Sequence, residues 1–138
     1  MNRLYELSND AEHLKKAAEA FTDAAGSYQK TNIKSRIAEC LWKAALLYGD
    51  LGNHLKAAEN FELASNNYTS AAEKIPQLKD LYQEQALYMQ AWNEIEKARH
   101  HHARQEYGSA TEHYEKAATM HKSLRQWSYL RPQLFSMG

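Results

Sequence analysis

Apolar residues recur along this chain at steps of three and four, the spacing that aligns side chains on one face of an α-helix. Leu14, Ala17, Phe21, Ala24 and Tyr28 form a first stripe. Asn9 and Glu12 stand ahead of it at capping-box spacing, so a helix is expected over about 10–30. Ile33, Ile37, Leu41, Ala44, Tyr48 and Leu51 predict a second helix over about 33–50. The run Gly49-Asp50-Leu51-Gly52-Asn53 closes it, supplying a glycine for the left-handed C-terminal position and an asparagine to cap the next helix. That third helix begins near His54, carries Ala57, Phe61, Ala64, Tyr68, Ala71 and Ile75, and stops at Pro76. No breaker follows until Tyr107, so Leu78, Leu81, Tyr88, Ala91, Trp92, Ile95 and Ala98 predict a fourth helix of about 30 residues, roughly 45 Å long. Gly108 is expected to end it, and Ser109 with Glu112 to cap a fifth helix carrying Ala110, Tyr114, Ala117 and Leu124. Beyond Trp127, the residues Tyr129, Leu130, Leu134 and Phe135 around Pro132 read as the start of a partial sixth.

Composition sharpens this into a fold class. Alanine supplies 21 of the 138 residues while valine is absent, which favours helices and all but excludes an extensive β-sheet. The expectation is one all-α unit over residues 1–138. The 17 basic and 17 acidic side chains cancel, removing the simplest electrostatic argument for nucleic-acid or membrane-surface binding. No apolar run reaches the length of a membrane span; the longest, Cys40 to Tyr48, is interrupted by Lys43. The first residues lack the apolar block and cleavage site of a signal peptide. The single cysteine, Cys40, has no internal disulfide partner, which fits a reducing cytoplasm.

The chain also repeats itself. Lys16-Ala17-Ala18-Glu19-Ala20-Phe21, with Ala24 and Tyr28, recurs 40 residues later as Lys56-Ala57-Ala58-Glu59-Asn60-Phe61, with Ala64 and Tyr68. Ala110, Glu112, Tyr114 and Ala117 form a weaker copy a further 53 residues on. Small alanines let one helix axis approach another, and the ring one turn later fills the groove between them. From Leu41 to Ala64 the order Ala45, Tyr48, Gly52, Ala57, Phe61, Ala64 resembles the tetratricopeptide repeat, and the longer helices are similar to the superhelix of the SNAP adaptor proteins. The resemblance implies antiparallel helix pairs stacked into a right-handed superhelix with a concave inner face. Offsets of 40 and 53 exceed the family period of about 34 residues, and Gln105 stands where the third copy should carry its turn glycine.

Candidate chemistry is sparse. His100, His101 and His102 are consecutive, so on a helix they fan out by about 100° per residue and cannot converge on one metal. No His-x-x-x-His or Glu-x-x-His pair occurs. His102 and Glu106 share a face that His113 or His121 could approach, yet solvated or ion-paired histidines describe them better than a metal site. Cys40 lies beside an apolar stripe with no histidine at helical spacing, as expected of a packed, inert thiol. Gly49 and Gly52 lack the context of a phosphate loop, and the carboxylates are scattered. No catalytic residue, metal or cofactor is expected. The basic stretch Lys97, Arg99, Arg104, Lys116, Lys122, Arg125 and Arg131, with three acids and interleaved Tyr107, Tyr114 and Trp127, could meet an RNA or an acidic peptide. Complementing the helix dipole and solubilising the surface explains it more simply, so nucleic acid is an unlikely partner.

The remaining candidate is a groove for a protein or peptide. In the tetratricopeptide register the second helix presents Glu39, Trp42, Lys43, Leu46 and Asp50 to the concave side, and the fourth presents Trp92, Ile95, Glu96, Arg99 and His102. Trp42 lies one position off the buried stripe, where an aromatic beside a lysine can anchor a partner. The asparagines by which chaperone-binding relatives clamp a terminal carboxylate are absent from these positions. A repeat array also needs a polar end, and Trp127, Tyr129, Leu130, Leu134 and Phe135 form none. Either the chain is the N-terminal part of a longer array, or a second copy covers that end as a homo-oligomer. The expected function is a non-catalytic scaffold or adaptor, with self-association as the alternative.

Overall fold

A computed structural model describes the backbone of residues 2–136 and the side chains of residues 10–125. Among the described residues the elements are α1 (Asn2–Thr31), α2 (Lys34–Asp50), α3 (His54–Lys74), a 3-10 turn at Pro76–Leu78, α4 (Lys79–Ala103) and α5 (Tyr107–Ser136). Each helix packs antiparallel on its predecessor, giving the all-α stack of helix pairs that the alanine spacing predicts. α2 also touches α4, whereas α1, α3 and α5 do not meet one another among the described residues. The α2–α4 side is therefore the shorter, inner side of the stack.

Local chemistry sets the turns. At the end of α2, Gly52 adopts φ +83°, and its N–H donates to Gly49 O at 3.0 Å while the Asn53 N–H donates to Tyr48 O at 2.9 Å. These bonds satisfy carbonyls that the helix end would leave open. Asn53 then caps α3, its Oδ1 accepting from the Lys56 N–H at 3.3 Å. Ile75, held extended at φ −125° by the proline after it, ends α3.

Four boundaries differ from expectation. α1 begins at Asn2, so Asn9 and Glu12 lie inside the helix rather than capping it. α4 ends at Ala103, giving 25 residues rather than about 30, and it is Gln105, not Gly108, that turns the chain. Gln105 adopts φ +62°, with its N–H on His102 O at 2.9 Å and the Glu106 N–H on His101 O at 2.8 Å, the same bond pattern as after α2. Gly108 is the second residue of α5, so Ser109 and Glu112 do not cap it. The expected partial sixth helix is instead the continuation of α5 through Pro132 to Ser136. A proline removes one helical hydrogen bond and bends the axis, but it does not by itself reverse the chain. The side chains of Trp127, Tyr129, Leu130, Leu134 and Phe135, expected at a self-association surface, lie outside the described residues.

The core follows the repeat. Ile37, Ala38, Leu41, Ala45, Phe61, Ala64, Tyr68, Ala86 and Met89 pack together across α2, α3 and α4. A second cluster joins Ala18 of α1 to Ala44, Tyr48 and Ala57. α3 is covered on two sides, so its Phe61 and Tyr68 are buried; the matching Phe21 and Tyr28 of α1, with one neighbour, remain half-buried and exposed. Two buried polar residues, Ser65 and Asn93, lock α3 to α4, the first donating to Ala86 O at 2.9 Å and the second to Ala58 O at 2.6 Å.

Candidate protein-binding face

The inner side carries a cleft of about 430 Å³ near the N-terminal ends of α2 and α4. Ser35, Arg36, Glu39 and Trp42 come from α2, Tyr68 from α3, and Leu81, Tyr82 and Gln85 from α4. Trp42 is half-buried, and its indole Nε1–H donates to the Tyr68 hydroxyl at 3.1 Å. Tyr82 stacks on Tyr68 with ring centroids 6.1 Å apart. Burial pushes the Tyr68 phenol above its ordinary pKa, only partly opposed by the bond from Trp42, so the hydroxyl stays neutral. The result is a three-ring aromatic floor. Along its edge Glu39 accepts from Lys43 at 3.0 Å and from Arg36 at 3.5 Å. The Lys43 ammonium also lies over the rings of Phe21 and Trp42, at 5.8 and 5.9 Å.

Of the residues expected on α2, Glu39 and Trp42 line this cleft, Lys43 flanks it, and Leu46 and Asp50 are exposed further along the helix. Those expected on α4 separate. Trp92 stacks on Phe61 of α3 at 6.1 Å, Ile95 is half-buried, and exposed His102 meets Tyr107 edge-on at 5.5 Å. Glu96 is 2% exposed, so its carboxylate lies inside the stack and not on the groove surface. It bonds His54 Nδ1 at 2.7 Å and accepts from Arg99 at 2.9 Å. The space exists because residue 49 is glycine: a Cβ there would stand 2.9 Å from Glu96 Oε1. Arg36, Tyr68, Leu81, Tyr82 and Gln85 escaped the sequence reading of the site. Tyr68 belongs to the core stripe of α3, and its second role depends on a partner 26 residues away.

The other candidate chemistry resolves into pairs. Cys40 is half-buried against the core, and burial followed by the nearby Glu39 charge raises its thiol pKa above 9.0. His101 pairs with Glu106 at 3.2 Å and His113 with Glu94 at 2.6 Å, and the two imidazoles stack at 5.4 Å. Among the described residues no three His, Cys, Asp or Glu side chains are placed to hold one metal ion. No described helix is long and apolar enough to cross a membrane.

The family model of the soluble NSF attachment proteins, SNAP, matches residues 2–106. The chain belongs to the SNAP family. The match takes in α1 to α4 and the turn at Gln105, hence both walls of the cleft. No curated protein and no solved structure gives a significant match. SNAP proteins are helical-repeat adaptors of a non-enzymatic type that bind protein partners.

Proposed function

We propose that this chain is a non-catalytic adaptor that binds a segment of a partner protein along its α2–α4 face. The observation that carries the reading is the cleft itself. It joins three aromatic rings, which supply contact area at little entropic cost, to the charged pair Arg36 and Glu39, which can fix orientation. Trp42 is the anchor. Glu39, Lys43, Leu46 and Asp50 extend the surface along α2, and Arg99 and His102 extend it along α4. Glu96 serves from within by holding Arg99. The family takes its name from attachment to NSF, so NSF is the first partner to test. A cytoplasmic location suits a chain whose one thiol is unpaired.

A photo-crosslinking residue at position 36, on the cleft, or at exposed Glu59 of α3, on the outer side, tests the surface. NSF and a native extract serve as sources of partner. Adducts from position 36 and not from position 59, lost in Trp42→Ala, are the expected outcome. Equal yields from both positions would refute the inner-face reading, and unchanged yield in Trp42→Ala would remove Trp42 from it.

A further inference from the structure

α3 and α5 do not meet among the described residues, and between them, over α4, lies a cavity of about 230 Å³. Glu62, Ser65 and Asn66 of α3 form one wall, Met120 of α5 the other, and α4 the floor. The aromatic cleft, by contrast, opens between α2 and α4 over α3, on the other side of the stack. Three successive helices bound this second site.

The buried polar atoms that face the cavity are acceptors. Asn93, 7% exposed, commits an Nδ2 hydrogen to Ala58 O at 2.6 Å. Its Oδ1 accepts from no described residue and is not sealed off, so it opens on the cavity. Ser65, 1% exposed, gives its only hydroxyl hydrogen to Ala86 O at 2.9 Å and has lone pairs alone left to offer. Glu94 accepts from His113 on Oε2 at 2.6 Å, and its Oε1 has no partner among the described residues. Glu62 and Lys97 are also without ion-pair partners among the described residues. Lys97 is the one cation among the described lining residues, outnumbered by the two carboxylates. Asn66 and Gln90 add amides that donate as well as accept.

An acceptor-rich cavity with excess negative charge selects a cation that brings its own N–H donors. A bare metal ion fits poorly, since no three His, Cys, Asp or Glu side chains of the described residues converge on one point. An ammonium gathers its donors on a single atom. A guanidinium spreads more donors across a plane in fixed directions and is more weakly hydrated, which suits acceptors set on both α3 and α4. Met120, apolar and adaptable, suits the methylene stem behind such a head.

We propose that this cavity binds an alkylguanidinium group, the chemistry of an arginine side chain. The guanidinium donates to Asn93 Oδ1 and to the carboxylates of Glu62 and Glu94, and Lys97 opposes it. The site shares no lining residue with the aromatic cleft, so its failure would leave the proposed adaptor role standing.

Free L-arginine and the peptide Gly-Gly-Arg-Gly-Gly, titrated into the full chain and followed by NMR, are the probes. Saturable shifts of the Asn66 and Asn93 side-chain amides are expected with at least one of them, and not with citrulline in place of arginine. Saturation by the peptide assigns the site to an arginine of a partner protein; saturation by L-arginine alone assigns it to the free amino acid. Glu62→Gln should weaken binding about tenfold, and Lys97→Gln should tighten it about threefold, a gain that a misfolded variant could not show. Trp42→Ala should leave it unchanged. Absence of saturation with both probes, equal binding of citrulline, or a Lys97→Gln variant that binds no more tightly overturns the inference.

Discussion

Gly49→Ala and Gly26→Ala make the same chemical change with opposite expected signs. Both glycines lie within helices, where alanine is the better former by about 0.8–1.0 kcal/mol. At Gly26 a Cβ meets nothing within 4 Å, so the variant should be more stable by about that amount. At Gly49 the new Cβ would stand 2.9 Å from Glu96 Oε1 and 3.3 Å from its carboxyl carbon. That carboxylate cannot slide away cheaply, because His54 holds one oxygen at 2.7 Å and Arg99 the other at 2.9 Å. Overpacking of this kind costs about 1–3 kcal/mol, which offsets or exceeds the propensity gain and leaves a net loss of up to about 2 kcal/mol. At roughly 3 °C per kcal/mol for a chain of this length, the two variants should melt about 3–9 °C apart. Urea and thermal unfolding followed by circular dichroism measure both. If Gly49→Ala stabilises as Gly26→Ala does, Glu96 is not wedged against α2, and the three-helix polar node is refuted.

Three further outcomes follow from local geometry. Gln105→Gly relieves a side-chain-bearing residue of φ +62° and should stabilise by about 1 kcal/mol, whereas Gly52→Ala, at φ +83°, should lose a similar amount in the same unfolding assay. Alkylation of Cys40 by iodoacetamide should be much slower in the folded protein than in urea and should half-titrate above pH 9.0, since burial holds the thiol protonated. The hydrogen bond from His101, followed by the Arg104 charge, holds the Glu106 carboxyl below its ordinary value of 4.5. Its contribution is therefore fully present above that pH and is lost as the pH falls through the lower folded value; the stability difference between the native chain and Glu106→Gln should shrink on acidification below 4.5.

The sequence made the helices and one of the hairpin turns legible, because the residues there carry their own instructions. Gly52 suits a left-handed backbone and Asn53 a cap, and both do that work. The turn after α4 was hidden because Gln105 adopts the same geometry without the composition that signals it, while Gly108 offered a plausible but mistaken breaker. Helical spacing puts Glu39 and Trp42 on one face of α2, and both line the cleft. It could not foresee that Glu96 turns inward, since that depends on His54, 42 residues away, and on the missing side chain at Gly49. Trp42 likewise shows its environment only through Tyr68, a residue of the core stripe. Helical periodicity reports which face is apolar; it does not report which polar groups find one another across helices.

α2, α3 and α4 nest closely enough to build an aromatic floor on the inner face. Proton NMR of the intact chain tests it through two pairs of rings on different helices. Nuclear Overhauser effects are expected from the Trp42 indole N–H to the Tyr68 ring and from Trp92 to Phe61, with the Trp42 N–H slow to exchange with water. A Trp42 indole N–H that exchanges freely and shows no effect to Tyr68 would contradict it.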